Sequence, residues 1–399
     1  MGSRSLLRTR GQRDSGRVSM VELFFDLVFV FAVTQLSHGL LAHLSPLGAL
    51  QTLMLFLAVW WLWIFTSWFT NWLDPEKMPV RLLLFALMLG GLLLSSSIPE
   101  AFAGKGAVFG CVFAAMQVGR TLFMLWALRN ESRAQFRNFI RILVWFLASA
   151  VLWVWGGFED DPHRTTLWML AIAVEYVSPS VAFWVPGLGR SSTADWDVDG
   201  GHLSERCGLF VIIALGESIL VTGTTFAGSS WNTITLIAFL VSFLGSIAMW
   251  WVYFDTSAER ASHRISHSSD PGRIARLAYT YVHLLIIAGV IVCAVADEIV
   301  LVHPGHAETM GIAIILVGPA LYLLGNALFK WALNDRRLPP FSHLAGLLLL
   351  AVLAPFAFAH HFSALGLGIA TTSVMVLVAA WESLALRRPP RPPHESADA

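Results

Sequence analysis

The stretch MVELFFDLVFVFAV, residues 20–33, carries two acids, Glu22 and Asp26, inside an otherwise apolar run. In a membrane helix a carboxylate costs about 2.5–3.5 kcal/mol at the bilayer centre, so it must face protein or water. At about 100° per residue Glu22, Asp26, Phe29 and Val33 lie on one stripe of a helix. We therefore predict that this stripe packs inward and that its two acids are functional candidates.

The composition indicates an integral membrane protein. The 399 residues are 56% hydrophobic and only 13% charged, which is about half the charged fraction of a soluble domain. Crossing a hydrocarbon core takes about 20 apolar residues. Apolar stretches near this length predict an all-α polytopic protein of about twelve transmembrane helices, at 20–42, 48–70, 80–98, 106–128, 138–157, 166–185, 205–227, 232–254, 275–297, 308–329, 342–359 and 364–386.

The basic residues predict the orientation. Nearly all of the 26 Lys and Arg residues fall in the amino-terminal arm, in alternate loops or near the carboxyl terminus, Arg206 and Lys330 among them. Basic residues are retained on the cytoplasmic side of a membrane. Both termini are therefore predicted to be cytoplasmic, with a basic arm at 1–17 and a disordered, proline-rich tail at 389–399.

The sequence also suggests an internal repeat. The run that begins at Glu205 matches the run that begins at Glu22, and weaker matches follow each in the same order. We predict a first six-helix repeat at 18–190, a cytoplasmic linker at 191–202 and a second six-helix repeat at 203–388. Six crossings in each half give both halves the same orientation, which makes the repeat parallel.

The linker contains three alternating aspartates followed by glycine. Asp195, Asp197, Asp199 and Gly200 resemble the start of a calcium-binding loop, but Arg206 stands where such a loop has its bidentate glutamate. A solvated connector is the favoured interpretation, and a site for a hard cation is the alternative.

An arginine within the fourth apolar stretch suggests a buried ion pair. Arg120 and Asp26 are predicted to lie at similar depth, and either charge alone would be costly there. We therefore predict that the two pair. In the alternative, Glu22 reaches the lipid headgroups and the Arg120 side chain extends towards them.

Other acids lie inside predicted helices. Glu175 and Glu217 are near the middle of theirs, Glu382 is closer to an end, and Glu205 is the counterpart of Glu22. If these acids and the first two line one cavity, the surplus charge is negative and favours a monovalent cation or a proton. In the alternative, each acid is neutral or bonded to a hydroxyl group on a helix.

His283 and a group of tryptophans have competing interpretations. His283 is a candidate proton relay, whereas a lone histidine in a helix bundle is more often a packing residue. Five tryptophans are interpreted as an interfacial belt, with an aromatic substrate cage as the alternative: Trp60, Trp61, Trp63, Trp68 and Trp72.

No motif of an intramembrane hydrolase or of a metal site is found, so no catalytic residue, cofactor or metal ligand is predicted. The predicted partners are the lipid bilayer and a monovalent cation or proton. Nothing indicates a nucleic-acid partner, and a homo-oligomer is left open.

The run VELFFDLVFV, residues 21–30, resembles the hallmark of the bacterial low temperature requirement protein A (LtrA) family. The resemblance extends to Glu205-Arg206 and to residues 215–218, Leu-Gly-Glu-Ser. It implies a multi-pass protein of the bacterial inner membrane, and it carries over no catalytic residues.

A more distant similarity is to the potassium channels built from six-helix repeats. Their first helix has an Arg-x-x-x-Phe-Ser-Asp signature, onto which Phe24, Phe25 and Asp26 fall, with Met20 in place of the arginine.

Three classes of function follow. The buried acids and the repeat favour a cation or proton-coupled transporter or channel that uses carboxylates on the first and seventh helices. A membrane sensor or assembly factor for low-temperature adaptation is the alternative. An intramembrane enzyme is the third class and is not favoured.

Overall fold

The computed structural model describes residues 5–8, 17–192, 196, 198–255, 264–265, 268, 270–333 and 338–386. Within these ranges the chain forms twelve helices and no strand, which confirms the all-α fold. The helices are α1 Met20–Ala42, α2 Pro46–Trp72, α3 Met78–Ser97, α4 Gly106–Leu128, α5 Arg133–Phe158, α6 His163–Val177, α7 Gly200–Gly228, α8 Thr233–Phe254, α9 Pro271–Val302, α10 Thr309–Leu333, α11 Phe341–Phe358 and α12 Ala364–Leu386.

Eleven of these helices are long and apolar enough to cross a membrane. The exception is α6, which has 15 residues, fewer than the about 20 that a crossing needs. It ends at Val177 rather than at the predicted residue 185, because Pro179 has no amide hydrogen to donate to the carbonyl oxygen of Glu175 and so interrupts the helical hydrogen bonds. By contrast, α7 begins at Gly200, earlier than predicted, and its first turn is capped by the side chain of Asp199.

Helices α1 and α7 lie side by side and run in the same direction. Glu22 contacts His202 and Asp26 contacts Arg206, both across 180 positions, and Thr34 contacts Glu217 across 183. A nearly constant offset requires parallel helices at matching depth. Helix α1 packs on α2 and α3 as α7 packs on α8 and α9. The two-repeat arrangement itself stays a prediction.

The helices of the bundle run between two ends, which differ in their charged residues. The basic end is the end at which Met20, Trp72 and Gly200 lie, and the opposite end is the one at which Ala42 and Gly228 lie.

Glycines set the closest helix approaches. A Cβ atom on Gly110 of α4 would lie 2.3 Å from the carbonyl oxygen of Trp153 on α5, and one on Gly289 of α9 would lie 2.5 Å from the backbone nitrogen of Tyr322 on α10. No side chain fits at these distances, so glycine is what lets the two pairs of helices touch through their backbones.

Helix α9 contains one irregular section, which follows its first turn. Residues Ala275–Val282 form a π-helical turn, in which backbone bonds reach one residue further than in an α-helix. The indole of Trp60 donates a hydrogen bond to the carbonyl oxygen of Thr280, and that of Trp68 to its hydroxyl group, at 2.8 and 3.0 Å.

These contacts correct the interpretation of the tryptophans. Trp60, Trp61, Trp63 and Trp68 are each 5% exposed or less, so an interfacial belt is wrong for these four. They pack in the core because most of α2 is surrounded by other helices.

Candidate functional site

Glu22 lies in a network of charged side chains at the basic end. Its carboxylate accepts a hydrogen bond from Nη2 of Arg8 at 2.9 Å, and its Oε1 lies 2.9 Å from Nε2 of His202. It also accepts hydrogen bonds from the backbone and hydroxyl group of Ser19, which caps α1 in return. Glu22 is fully buried, so it does not reach the lipid headgroups.

Two local contacts hold this network in place. Leu7 forms an isolated β-bridge with Leu73, which follows α2, and this brings the arm over Glu22. Asn71 exchanges hydrogen bonds with the backbone of Asp199 at 2.8 Å and lies 3.2 Å from Nδ1 of His202. The arm, α2 and the start of α7 therefore all position partners of Glu22.

Asp26 lies one turn deeper and pairs with Arg206. Its Oδ1 accepts hydrogen bonds from Nη2 of Arg206 and from Nε1 of Trp63, both at 2.8 Å. Asp26 and Arg206 are fully buried. The predicted pair of Asp26 with Arg120 is therefore wrong, and so is the placement of Arg206 in a loop, because α7 begins before it.

Arg120 is bound elsewhere. It donates hydrogen bonds to the carbonyl oxygen of Leu62 at 3.0 Å, to the hydroxyl group of Thr66 at 2.9 Å and to the side chain of Gln117. Gln117 in turn donates to Glu175 at 3.3 Å. Arg120 and Glu175 thus compensate each other through a shared amide, inside the bundle of α2, α4, α5 and α6.

Glu382 is also compensated. Both of its carboxylate oxygens accept hydrogen bonds from Nζ of Lys330, at 2.7 and 2.6 Å. Lys330 is 5% exposed and also donates to the carbonyl oxygen of Val252. Its predicted place in a loop is wrong, since it lies within α10.

The carboxylates near the opposite end have a different environment. Glu217 on α7 is 2% exposed and accepts a hydrogen bond from the hydroxyl group of Thr34 at 2.6 Å. Glu298 and His38 lie near it. The next residue, Ser218, donates to Asp297 at 3.4 Å.

None of these three carboxylates forms an ion pair with a described Lys or Arg. We call Glu217, Asp297 and Glu298 the acidic cluster. Among the buried acids of the described residues, those without a Lys or Arg partner are therefore in this cluster, whereas Glu22 and Asp26 at the basic end each have an arginine partner.

An aromatic layer separates the two groups. From Asp26 to Thr34 the rise along α1 is about 12 Å. The ring of Phe210 on α7 lies between them, 4.1 Å from Trp63, 5.8 Å from Trp60 and 6.4 Å from Phe29. These rings are at most 2% exposed. The layer leaves no open passage for a hydrated ion along α1.

The remaining candidates lie apart from both groups. Glu205 is exposed and accepts a hydrogen bond from the backbone of Val18. His283 is fully buried, and its Nε2 lies 2.7 Å from the hydroxyl group of Tyr253, which is the environment of a packing residue. Asp195 and Asp197 lie outside the described residues.

The described part of the chain holds no group of three or more His, Cys, Asp or Glu side chains that could bind a metal ion.

The comparisons with known proteins identify the family. The family model described as "Bacterial low temperature requirement A protein (LtrA)" matches residues 17–380. The chain belongs to the LtrA family. This LtrA chain is similar to "Uncharacterized protein RA0937" of Rhizobium meliloti (strain 1021). The two are 41% identical over 384 residues, which are 94% of this chain and 91% of that protein.

No solved structure matches this LtrA chain. The similarity to potassium channels stays an interpretation of one motif.

The sequence analysis did not predict several residues that contact the buried acids or belong to the acidic cluster. His202 and Arg206 are four residues apart, so they share one face of α7. That spacing was a usable signal, but the later predicted start of the helix placed both residues at the membrane boundary. The ninth predicted stretch ends at Asp297, which placed Asp297 and Glu298 at a helix end, whereas α9 continues to Val302.

Proposed function

We propose that this LtrA family protein is a cation- or proton-coupled transporter of the bacterial inner membrane, with its basic end and both termini in the cytoplasm. One observation carries the proposal. The acidic cluster has no ion-pair partner among the described Lys and Arg residues, although it lies within apolar helices. Ionisable residues in such a place mark ion or proton pathways by default.

Glu217 is the central residue of the proposed site. It lies where α1 and α7 meet, its carboxylate is bonded to a neutral hydroxyl group, and Glu298 adds a second negative charge nearby. A proton or a monovalent cation bound there would offset the repulsion between the carboxylates. Binding would therefore change how tightly α1 packs on α7.

The two other layers of the α1–α7 contact fit a carrier better than a channel. The aromatic layer and the ion pairs of Glu22 and Asp26 close the basic end below the acidic cluster. In the proposed cycle, occupation of Glu217 loosens this contact and opens the basic end while the opposite end closes. Arg120 is fixed by three acceptors, so we assign it to the stability of the first half and not to the cycle.

The test is ion flux into proteoliposomes that contain the purified protein, with sodium, potassium and proton gradients applied separately. We expect flux with the wild-type protein and loss of it with Glu217→Gln, which keeps the shape and the bond to Thr34. Glu100→Gln is the matched control because Glu100 lies at the exposed opposite end, paired with Lys105 at 2.8 Å.

Absence of flux for every ion, with the protein folded, would overturn the proposal and favour a membrane sensor or assembly factor. Equal flux with Glu217→Gln would remove Glu217 from the pathway.

A further inference from the structure

A small cavity lies beside the acidic cluster, between α8, α9, α10 and α12. Its volume is about 30 Å³. Since one water needs about 10–15 Å³ by this measure, the cavity holds about two water-sized particles. The polar residues that line it are Asp297, Cys293, Ser242, Thr371 and Thr372.

Ser242 is the most informative member of this lining. It is fully buried, and its hydroxyl group has no hydrogen-bond partner among the described residues. A buried hydroxyl group without a partner loses free energy relative to water. The hydroxyl group faces the carboxylate of Asp297 but lies beyond hydrogen-bond distance from it, so a particle held between the two oxygens would satisfy both.

A proline provides a second source of oxygen. Pro319 lies within α10, and it has no amide hydrogen to donate to the carbonyl group four residues earlier, at Ile315. Both residues line the cavity. Backbone carbonyl groups released from helical bonding coordinate sodium ions in other membrane transporters.

The charge of the lining selects the class of ligand. Asp297 is the one acid in the lining, and no Lys or Arg is present in it. One negative charge balances one monovalent cation. Oxygen donors suit hard cations, and the small volume favours a small ion stripped of most of its water.

We propose that this cavity binds a single sodium ion, held by the carboxylate of Asp297, the hydroxyl group of Ser242 and the carbonyl group of Ile315. Ser218 donates a hydrogen bond to Asp297 and directly follows Glu217 in the sequence, so it connects this site to Glu217. The role of this sodium in transport rests on the proposed function, whereas its binding can be measured without any flux.

The experiment is equilibrium binding of radioactive sodium to the full-length protein in lipid nanodiscs, with choline replacing sodium to keep the ionic strength constant. We expect saturable binding to the wild-type protein. Asp297→Asn should weaken it at least about a hundredfold, because it removes the charge, and Ser242→Ala about tenfold, because it removes one hydroxyl ligand.

Ser373→Ala is the matched control. Ser373 lies next to Thr372 on α12, but it is exposed and its hydroxyl group is bonded within the helix to the carbonyl oxygen of Ile369 at 2.7 Å. Sodium affinity should be unchanged in this variant. Because Ser242→Ala makes only a small change, it keeps the test decisive if Asp297→Asn fails to fold.

Three results would overturn the proposal: no saturable sodium binding to folded wild-type protein, equal binding by Ser242→Ala, or competition by potassium as strong as by sodium. Sodium binding without flux would leave this site in place and refute the proposed transport. Flux lost in Glu217→Gln, with no sodium binding at Asp297, would do the reverse and favour a proton as the occupant.

Discussion

The two ends of the α1–α7 contact hold buried acids in opposite ways. At the basic end Glu22 and Asp26 each have an arginine within 2.9 Å. In the acidic cluster, Glu217 has a hydroxyl group as its hydrogen-bond partner. A paired buried charge becomes costly when its partner is removed, whereas an unpaired one is costly as it stands. The first arrangement suits a structural contact, and the second suits a site that an ion or proton occupies.

Removal of Arg206 should have the largest effect on this comparison. Arg206→Met leaves Asp26 without its ion pair in a fully buried position, so we expect the free energy of unfolding to fall by about 3–5 kcal/mol. Denaturant unfolding in mixed micelles measures the change. The double variant Asp26→Asn with Arg206→Met should recover part of it, and a loss in the single variant below about 1 kcal/mol would contradict the pairing.

The hydrogen bond from Trp63 should matter next. Trp63→Phe keeps an aromatic ring in the layer but removes the donor to Asp26, and we expect a loss of about 1–3 kcal/mol. Trp155→Phe is the matched control, because the indole of Trp155 donates to Glu159 at 2.9 Å at an exposed position. Equal losses in the same unfolding assay would show that the bond to Asp26 is not special.

A substitution in the acidic cluster should not lower the free energy of unfolding as the substitutions at the basic end do. Glu217→Gln removes a buried charge that lacks a cationic partner, so we expect the free energy of unfolding to stay within about 1 kcal/mol of wild type or to rise. The same assay, run beside the flux measurement, gives the comparison. A loss as large as that of Arg206→Met would mean that Glu217 is a structural residue.

A surface ion pair should give the smallest change in the free energy of unfolding. Glu76 accepts a hydrogen bond from Arg81 at 2.7 Å, and its side chain is 67% exposed. Glu76→Gln should change the free energy of unfolding by less than about 0.5 kcal/mol, since solvent screens such pairs. A greater change would indicate that the assay reports surface charge as well as the buried network.

The fold was largely predictable because it depends on long apolar runs. The stretch at residues 20–42 matches α1 at both ends, and each of the other predicted stretches overlaps one helix. The errors lie at helix ends, where local geometry decides. Pro179 shortens α6, and Asp199 starts α7 before its first apolar residue.

The site was predictable only in part. The cost of a buried charge identified Glu22, Asp26 and Glu217 as residues that need a polar or charged partner. It did not identify the partner of each. The partners of Asp26 come from α2 and α7, and nothing in the sequence near Asp26 specifies them. Depth alone favoured Arg120, whereas packing brings Arg206 to that place and binds Arg120 to α2 and α4.

The pairing of Asp26 with Arg206 also has a consequence for synthesis. The two residues are 180 positions apart, and at about 5–20 residues per second a ribosome needs about 10–40 s to pass from one to the other. Throughout that interval α1 has entered the membrane while α7 does not yet exist. Glu22 can already pair with Arg8 of the arm, but the nascent chain must shelter the unpaired Asp26 until its second half arrives, so a protein truncated before α7 should be a target for membrane proteases.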